Sequence, residues 1–520
     1  FERGEYISFA NCGLPYYIGG VIRDRNRLLL QTVEGMSKRF NIDLRVMTEV
    51  TAIHRDRKTV TAKNLLTGEE YEESYDKLIL SPGAKPIMPP IPGLDQAKGV
   101  FTLRTIPDTD RIKAYVEEEK PSSAVVIGGG FIGLEMAENL VERGVKVSLV
   151  ERSDQVLRPL DYEMAAIIHD YLGECGVQLY LEDGLKAIEK EGRLLRLQSG
   201  KTLEADMIIL AAGVQPESEL AREAGLELGV RGAIKVNQRL QTSDPDIYAI
   251  GDAVEVKNYI HGFPTHVPLA GPANRQGRLV ADILHGLDAQ YKGVLGTAVI
   301  KIFKLTAAST GNSEKVLKQF GIPYEVVHVY PANHAIYYPN AKYMTLKLIF
   351  DRETGKIFGA QAVGEEGVDK RIDVIATAIK GGLTVRDLPD LELAYAPPYS
   401  TAKDPVNIAG YAATNILDGM VETLQWHELD DHFAEGGILL DVRTALEVKA
   451  GGVDGAVHIP LDELRERLAE LPKDKTICVM CGVGLRAYLA CRILTENGFR
   501  AKNLDGGYRL YSYVRGKKFS

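Results

Sequence analysis

The sequence predicts an α/β protein built from several domains, and three observations carry that reading. A short β-branched run, Ala124-Val125-Val126-Ile127, breaks at Gly128-Gly129-Gly130-Phe131-Ile132-Gly133, enters a helical pattern and returns to a strand over Val145 to Val150. Residues from about Gly293 to Gly410 show runs of strand-like sequence and then a helical pattern, the order of an α+β domain. Roughly the last hundred residues alternate short strands and helices around Thr476-Ile477-Cys478-Val479-Met480.

Composition narrows the class. A chain of 520 residues exceeds one hydrophobic core and calls for three or four domains. With 45% hydrophobic and 26% charged residues it has the make-up of an ordinary globular protein. The formal charge of −9, without a long basic block, argues against nucleic acid as the main partner. A local basic site for a phosphorylated ligand stays compatible with it. Five cysteines (Cys12, Cys175, Cys478, Cys481 and Cys491) are too few for a disulfide framework and fit a reducing cytoplasm. No apolar run reaches the eighteen or so residues of a membrane helix, and no signal peptide is visible, so no membrane association is expected.

Taken along the chain, the first chemical candidate is Cys12, within Ser8-Phe9-Ala10-Asn11-Cys12-Gly13-Leu14-Pro15-Tyr16. A thiol at the start of a short helix can have a lowered pKa, and the thiolate is the form that attacks sulfur. The alternative is a buried cysteine acting as a small hydrophobe. Next, Ser81-Pro82-Gly83-Ala84 reads as a turn at which the chain passes between domains. The fingerprint Gly128-x-Gly130-x-x-Gly133 lies between a strand and a helix carrying Ile132, Met136, Leu140 and Val141 at helical spacing, with Gly144 as its C-terminal cap. Its glycines permit a tight turn and let a pyrophosphate approach the helix N-terminus, where free amides and the dipole favour negative charge. Glu151 ends the following strand, where a carboxylate binds both ribose hydroxyls and repels a 2′-phosphate. NADH is therefore expected over NADPH, although Arg152 beside it works the other way.

A second return of the chain is expected at Asp244-Pro245-Asp246-Ile247-Tyr248-Ala249-Ile250-Gly251-Asp252. In the α+β region, strands are expected over Tyr343 to Phe350 and Ile357 to Val363, and a helix over Val368 to Lys380. Gly419 to Thr423 reads as a linker. Near the C-terminus, Cys481-Gly482-Val483-Gly484-Leu485-Arg486 follows an apolar strand and precedes a helix from about Ala487. Its two glycines let backbone amides turn inward as an anion-binding nest, and Arg486 adds positive charge, which suits a persulfide on Cys481. A phosphatase-like loop would be longer. A redox pair of Cys478 with Cys481 is disfavoured because Cys478 lies within the strand, and a zinc site because no second ligand pair follows; no metal is expected. His458 reads as a fold-stabilising residue rather than a base.

From Cys12 to about Tyr411 the chain resembles the pyridine nucleotide–disulfide oxidoreductases with a single active-site cysteine. That group includes coenzyme A disulfide reductases, NADH oxidases and NADH-dependent persulfide reductases. The resemblance rests on the Cys12 stretch with Tyr17, and on Tyr395-Ala396-Pro397-Pro398-Tyr399-Ser400 with Lys403-Asp404-Pro405-Val406-Asn407. From about Leu424 to Tyr513 the chain is similar to rhodanese domains, through Leu440-Asp441-Val442-Arg443 with Glu447, Gly455-Ala456-Val457-His458-Ile459-Pro460, and the Cys481 loop. Together the two match the coenzyme A disulfide reductase–rhodanese fusions, also described as NADH-dependent persulfide reductases.

The resemblance implies an α/β fold with two Rossmann-like dinucleotide-binding domains, an α+β dimerisation domain and a C-terminal α/β rhodanese domain. The flavin domain would comprise 1–120 and 244–293, the NADH domain 121–243, the dimerisation domain 294–418 and the rhodanese domain 424–520. Ser81 and Gly83 would form the family's connecting motif. Gly251 and Asp252, followed by Pro268, Leu269, Ala270 and Asn274, resemble its second flavin motif, whose Asp contacts the ribityl and pyrophosphate region of FAD. The family opens with a flavin-binding strand, a glycine-rich turn and an acid for the flavin ribose. None of these is read ahead of Cys12, so about one strand–turn–helix unit, roughly thirty residues, is missing; either the sequence is a fragment, the favoured expectation, or the variant binds FAD poorly.

With no second cysteine nearby, Cys12 would form a mixed disulfide or persulfide with a ligand, reduced through FAD. Ser8 and Asn11 are expected to contact coenzyme A. In the family, tyrosines of the partner subunit approach the active-site sulfur. Tyr395 matches best and Tyr337, in Ala335-Ile336-Tyr337-Tyr338-Pro339, second. A homodimer acting on persulfide, polysulfide or coenzyme A disulfide is therefore expected, with Cys481 relaying sulfane sulfur. The rivals are an NADH oxidase or peroxidase cycling Cys12 through a sulfenic acid, and a non-redox sulfurtransferase.

Overall fold

A computed structural model describes residues 1–516, which divide into two compact units, 1–157 with 172–296 and 158–171 with 297–516. In the first unit, five parallel strands run in the order Gln178–Tyr180, Lys146–Val150, Ser123–Ile127, Met207–Leu210 and Val100–Phe101. Ser123–Ile127 and Met207–Leu210 are buried almost throughout, as a parallel sheet covered on both faces requires. The helix Phe131–Glu142 follows the first of these directly, and Gly144 takes the left-handed conformation just past its end. A second parallel pair, Leu78–Leu80 with Ile247–Ala249, brings together the two points at which the chain was expected to change domain. Its core includes Leu80, Ile247, Ala249, Val254 and Val280.

The second unit holds two five-stranded sheets. The antiparallel one runs Ala298–Ile302, Leu305–Gly311, Ile357–Gly364, Met344–Phe350, Glu325–Val329. Strands and helix thus fall within a residue or two of the sequence expectation, the helix spanning Val368–Gly381. The parallel sheet runs Glu422–Leu424, Arg500–Leu504, Thr476–Met480, Ile438–Asp441, Val457–His458. The expected linker Gly419–Thr423 needs correction here. Glu422 and Thr423 are edge-strand residues paired with Lys502 and Asn503, so the connection after the helix Pro405–Leu417 is shorter than a linker. No helix among the described residues is long and apolar enough to cross a membrane.

One residue in the antiparallel sheet breaks the apolar pattern. Lys347 is fully buried in Met344–Phe350, and its ammonium donates to Asp161 Oδ2 (2.8 Å), to Glu314 Oε1 (2.5 Å) and to Glu163. On the neighbouring strand His328 is buried as well. Its Nδ1 meets Asp505 Oδ2 at 2.6 Å and its Nε2 meets Glu163 Oε1 at 3.4 Å. Asp161, Glu163 and Glu314 sit close enough to hold a metal ion, but the Lys347 ammonium already bonds all three. Burial alone would lower the His328 pKa, yet Asp505 and Glu163 outweigh it and push the ring up to about 9.

A histidine whose folded pKa exceeds its unfolded value of about 6.5 stabilises the fold fully below that value and loses the contribution as pH climbs through the folded one. The thermal midpoint should therefore fall between about pH 6.5 and about pH 9. His328→Gln should flatten that slope while lowering the midpoint at neutral pH. A parent protein whose midpoint is constant over this window would show that His328 is not charged in the fold.

Candidate functional sites

The fingerprint turn is built for close approach. At Gly128, φ +108°, an added Cβ would stand 2.2 Å from Ala211 O, and at Gly133 it would stand 1.9 Å from Gly128 O. At Gly130, by contrast, no protein atom lies within 4 Å of that position. Gly130 is also the N-cap of Phe131–Glu142 and offers no side-chain cap. The first and third glycines thus serve strand–helix packing, while the second leaves open the space before the uncapped helix N-terminus, where a pyrophosphate fits. Glu151 closes the turn, accepting from Gly129 N (2.8 Å), Ser153 N (2.8 Å) and Ser153 Oγ (2.7 Å). These bonds fix its carboxylate beside the glycine turn, where it could meet a ribose.

Glu2 shows a related arrangement that the sequence reading missed. Its carboxylate accepts from Gly4 N, two residues on, at 2.6 Å, as Glu151 accepts from Ser153 N. Glu2 is thus an acid ahead of Cys12 that the sequence reading did not weigh for the flavin ribose. An acid two residues from a glycine carries no signal unless the strand before it is recognised.

Cys12 lies in a 3-10 turn, Asn11–Gly13, leading into the helix Leu14–Gly19, and is exposed. Ser8 is in a two-residue strand opposite Gln31, and Asn11 is exposed beside the thiol. Gly19 lies so close to Asn139 that a Cβ would meet its Oδ1 at 1.9 Å. This contact seats the Cys12 helix on Phe131–Glu142, whose Glu135 then acts on the thiol. The expected lowering of the Cys12 pKa is corrected. Partial burial raises it, and the negative charges of Glu135 and Asp252 raise it further. The helix after the thiol is only six residues long, so its dipole offers little against two carboxylates. Burial, with Glu138 nearby, pushes Glu135 itself up to about 7. Burial and the same acids push Tyr16 up to about 12.

The second-motif residues converge. Gly251 N donates to Gln276 Oε1 (2.7 Å), on the helix Ala270–Leu284 whose N-cap is Leu269 and which follows Pro268. Asn274 donates to Ala270 O at 2.9 Å from an exposed position. Burial raises the Asp252 pKa. The Asp252 carbonyl lies 2.7 Å from His266 Nε2, while His266 Nδ1 is buried with no protein partner. That orphaned polar atom, beside an acid and an uncapped helix start, fits a bound polar cofactor. Ser81 is exposed, and Gly83, φ +76°, ends the turn after Leu78–Leu80.

In the second unit, Tyr337 and Tyr395 come from segments 58 residues apart and meet hydroxyl to hydroxyl at 2.9 Å. Both are exposed, and the shared hydrogen bond raises the Tyr337 pKa. Elsewhere in that unit, Cys481 Sγ accepts from Gly484 N at 3.0 Å, with Gly484 at φ +106°. Gly507, φ +61°, packs beneath the loop, where a Cβ would stand 2.6 Å from Cys481 O. Arg486 serves both Glu447 and the sulfur: its hydrogen bonds to Glu447 raise its pKa most, and Cys481 raises it further. Its guanidinium pairs with both oxygens of Glu447 (2.8 and 2.5 Å), and that pairing holds Glu447 down at about 2. Cys478 lies buried in its strand, which raises its thiol pKa and makes it a poor redox partner. His458 Nε2 lies 2.8 Å from Arg443 O, a structural tie between strand and loop.

Removing the Glu135 charge should lower the Cys12 pKa. In Glu135→Gln the pH profile of alkylation by iodoacetamide should move to lower pH, most visibly above pH 7, where Glu135 is ionised. An unmoved profile would mean that burial alone sets the thiol.

Comparison with known proteins agrees with this layout. The family models matched are the pyridine nucleotide-disulphide oxidoreductase over residues 1–277, its dimerisation domain over 297–405, and a rhodanese-like domain over 425–513. A coenzyme A disulfide reductase of Staphylococcus aureus (strain JH9) is 41% identical over 415 residues, covering 79% of this chain and 93% of that protein. The crystal structure of reduced Bacillus anthracis CoADR-RHD superposes with a TM-score of 0.98 at 62% identity, covering 99% of this chain and 93% of that one. A NAD-dependent persulfide reductase from A. fulgidus superposes at 0.91 with 40% identity, covering 98% and 94%. The chain belongs to the pyridine nucleotide-disulphide oxidoreductases, and it carries their dimerisation domain and a C-terminal rhodanese-like domain.

Proposed function

We propose that this protein is an NADH-dependent flavoprotein reductase of coenzyme A disulfide, persulfide or polysulfide, with a rhodanese domain that relays sulfane sulfur. The observation that carries the reading is the convergence on Cys12. The lone thiol lies within electrostatic reach of Glu135 on the fingerprint helix and of Asp252 in the second motif. FAD and NADH, when bound, supply the two electrons that cleave a sulfur–sulfur bond. Gly128, Gly130, Gly133 and Glu151 would hold NADH; Glu2, Ser81, Gly83, Gly251, Asp252, Pro268, Leu269, Ala270 and Asn274 would hold FAD. Ser8 and Asn11 flank the thiol on the side proposed for coenzyme A.

In this scheme the Cys12 thiolate attacks a substrate disulfide, forms a mixed disulfide and releases one thiolate. The Tyr337–Tyr395 pair, supplied by the partner of a homodimer, donates a hydrogen bond to the departing sulfur. A low cysteine count, five in 520 residues, and a net negative charge support a cytoplasmic protein without a nucleic-acid partner.

Cys12→Ser should abolish turnover with coenzyme A disulfide, by several orders of magnitude, while flavin reduction by NADH survives. Wild-type disulfide turnover in that variant would refute the reading. Cys481→Ser should remove thiosulfate sulfurtransfer but keep much of the reduction of small persulfides, which can reach Cys12 directly. Arg486→Ala should be milder, about tenfold to a hundredfold on sulfurtransfer, as for loss of one charge-assisted hydrogen bond. An equal loss of NADH oxidation across every donor in Cys481→Ser would put Cys481 on the obligatory path instead.

A further inference from the structure

The tyrosine pair is exposed, yet the two segments that carry it are tied together from beneath. Neither the stretch before Tyr343 nor the stretch from Leu391 to Lys403 forms helix or ladder around its tyrosine. Below them lies Arg371 of the helix Val368–Gly381, only 1% exposed. Its Nη2 donates to Asn333 O (2.8 Å) in the Tyr337 segment, to Ser400 Oγ (3.2 Å) in the Tyr395 segment, and to Asp404 Oδ2 (2.9 Å). Ser400 Oγ donates in turn to Asp404 Oδ2 at 2.6 Å, and Ser400 O accepts from Ala335 N at 3.0 Å. Ser400 and Asp404 are as buried as the arginine.

Asp404 has a second task. It caps the helix Pro405–Leu417, accepting from Val406 N (3.0 Å), while Asn407 Oδ1 accepts from Asp404 N (2.9 Å). The Lys403-Asp404-Pro405-Val406-Asn407 run thus anchors the Tyr395 segment. A buried ion pair is costly to desolvate and contributes little net stability beside an apolar pair, so its fitting role is to fix geometry. An exposed tyrosine pair needs such support, because a hydroxyl–hydroxyl bond in water holds two loops only weakly.

We propose that Arg371, Ser400 and Asp404 are positioning residues that clamp the two loops and so preset the Tyr337–Tyr395 hydroxyl pair for the departing sulfur. The proposal rests on the reading above, in which that pair serves the Cys12 reaction.

A double-mutant cycle in the purified holoenzyme tests it, with coenzyme A disulfide as substrate. Ser400→Ala removes one hydroxyl and leaves the ion pair. It should lower kcat by roughly tenfold to a hundredfold, leave the KM for NADH and the rate of flavin reduction by NADH unchanged, and add nothing to Tyr395→Phe. Asp404→Asn, which keeps a capping side chain, should lose more; if it does not fold, the Ser400 cycle alone decides. Full kcat in Ser400→Ala, or losses that multiply with Tyr395→Phe, would overturn the clamp while leaving the tyrosine reading intact. Full kcat in Tyr395→Phe would overturn the tyrosine reading, and the clamp with it.

Discussion

Lys347 fixes the second unit because its ammonium, with no access to water, must be satisfied by groups brought from elsewhere in the chain. It draws Asp161 and Glu163 from the short segment 158–171 and Glu314 from the first position of the helix Glu314–Gln319. Leaving any of these carboxylates buried and unpaired would cost several kcal/mol, so the segments cannot drift independently. Glu163 also faces His328, and His328 grips Asp505 through both its ring and its backbone amide. Asp505 stands two residues before Gly507, whose backbone packs under Cys481. One buried cation thereby links the antiparallel sheet to the platform of the Cys481 loop.

The two candidate cysteines, Cys12 and Cys481, sit in opposite settings. Cys481 has a backbone N–H aimed at its sulfur and a glycine-lined loop around it. Cys12 has carboxylates for neighbours and is flanked by a helix too short to offset them. A nest of amides stabilises a sulfur anion that persists, such as a carried persulfide. The Cys12 setting does the reverse and keeps the free thiolate high in energy until it reacts.

Local features were legible in the sequence. The fingerprint, the Thr476–Met480 strand and the Cys481 loop are each defined by neighbours in the chain, so turn chemistry and periodicity revealed them. The pairing of Tyr337 with Tyr395 was accessible only through family resemblance, since nothing local joins residues 58 apart. Nothing in the local sequence singles out Lys347, Arg371 or Glu135. Their roles come from partners in other segments. The error on the Cys12 pKa has the same origin, because the local helix start was visible and the distant charges of Glu135 and Asp252 were not. The misread linker at Gly419–Thr423 failed for want of a partner strand, Arg500–Leu504, that lies far along the chain.

A raised thiol pKa looks unfavourable for a nucleophile, but under the proposed chemistry it favours the direction of reaction. The thiolate fraction falls, while the nucleophilicity of each thiolate rises with its basicity. In thiol–disulfide exchange the sulfur of lower pKa leaves faster. A mixed disulfide between Cys12 and a less basic thiol therefore returns slowly to starting materials, because Cys12 is the poorer leaving group. A hydrogen-bond donor at the outgoing sulfur strengthens the same bias, since it stabilises the substrate thiolate and not Cys12. In the proposed reaction, the negative surroundings of Cys12 and the Tyr337–Tyr395 hydroxyl pair would act on the two ends of one sulfur–sulfur bond. A site with a single cysteine has no second thiol to trap the intermediate, and under the proposed chemistry this asymmetry would let the mixed disulfide persist until electrons arrive.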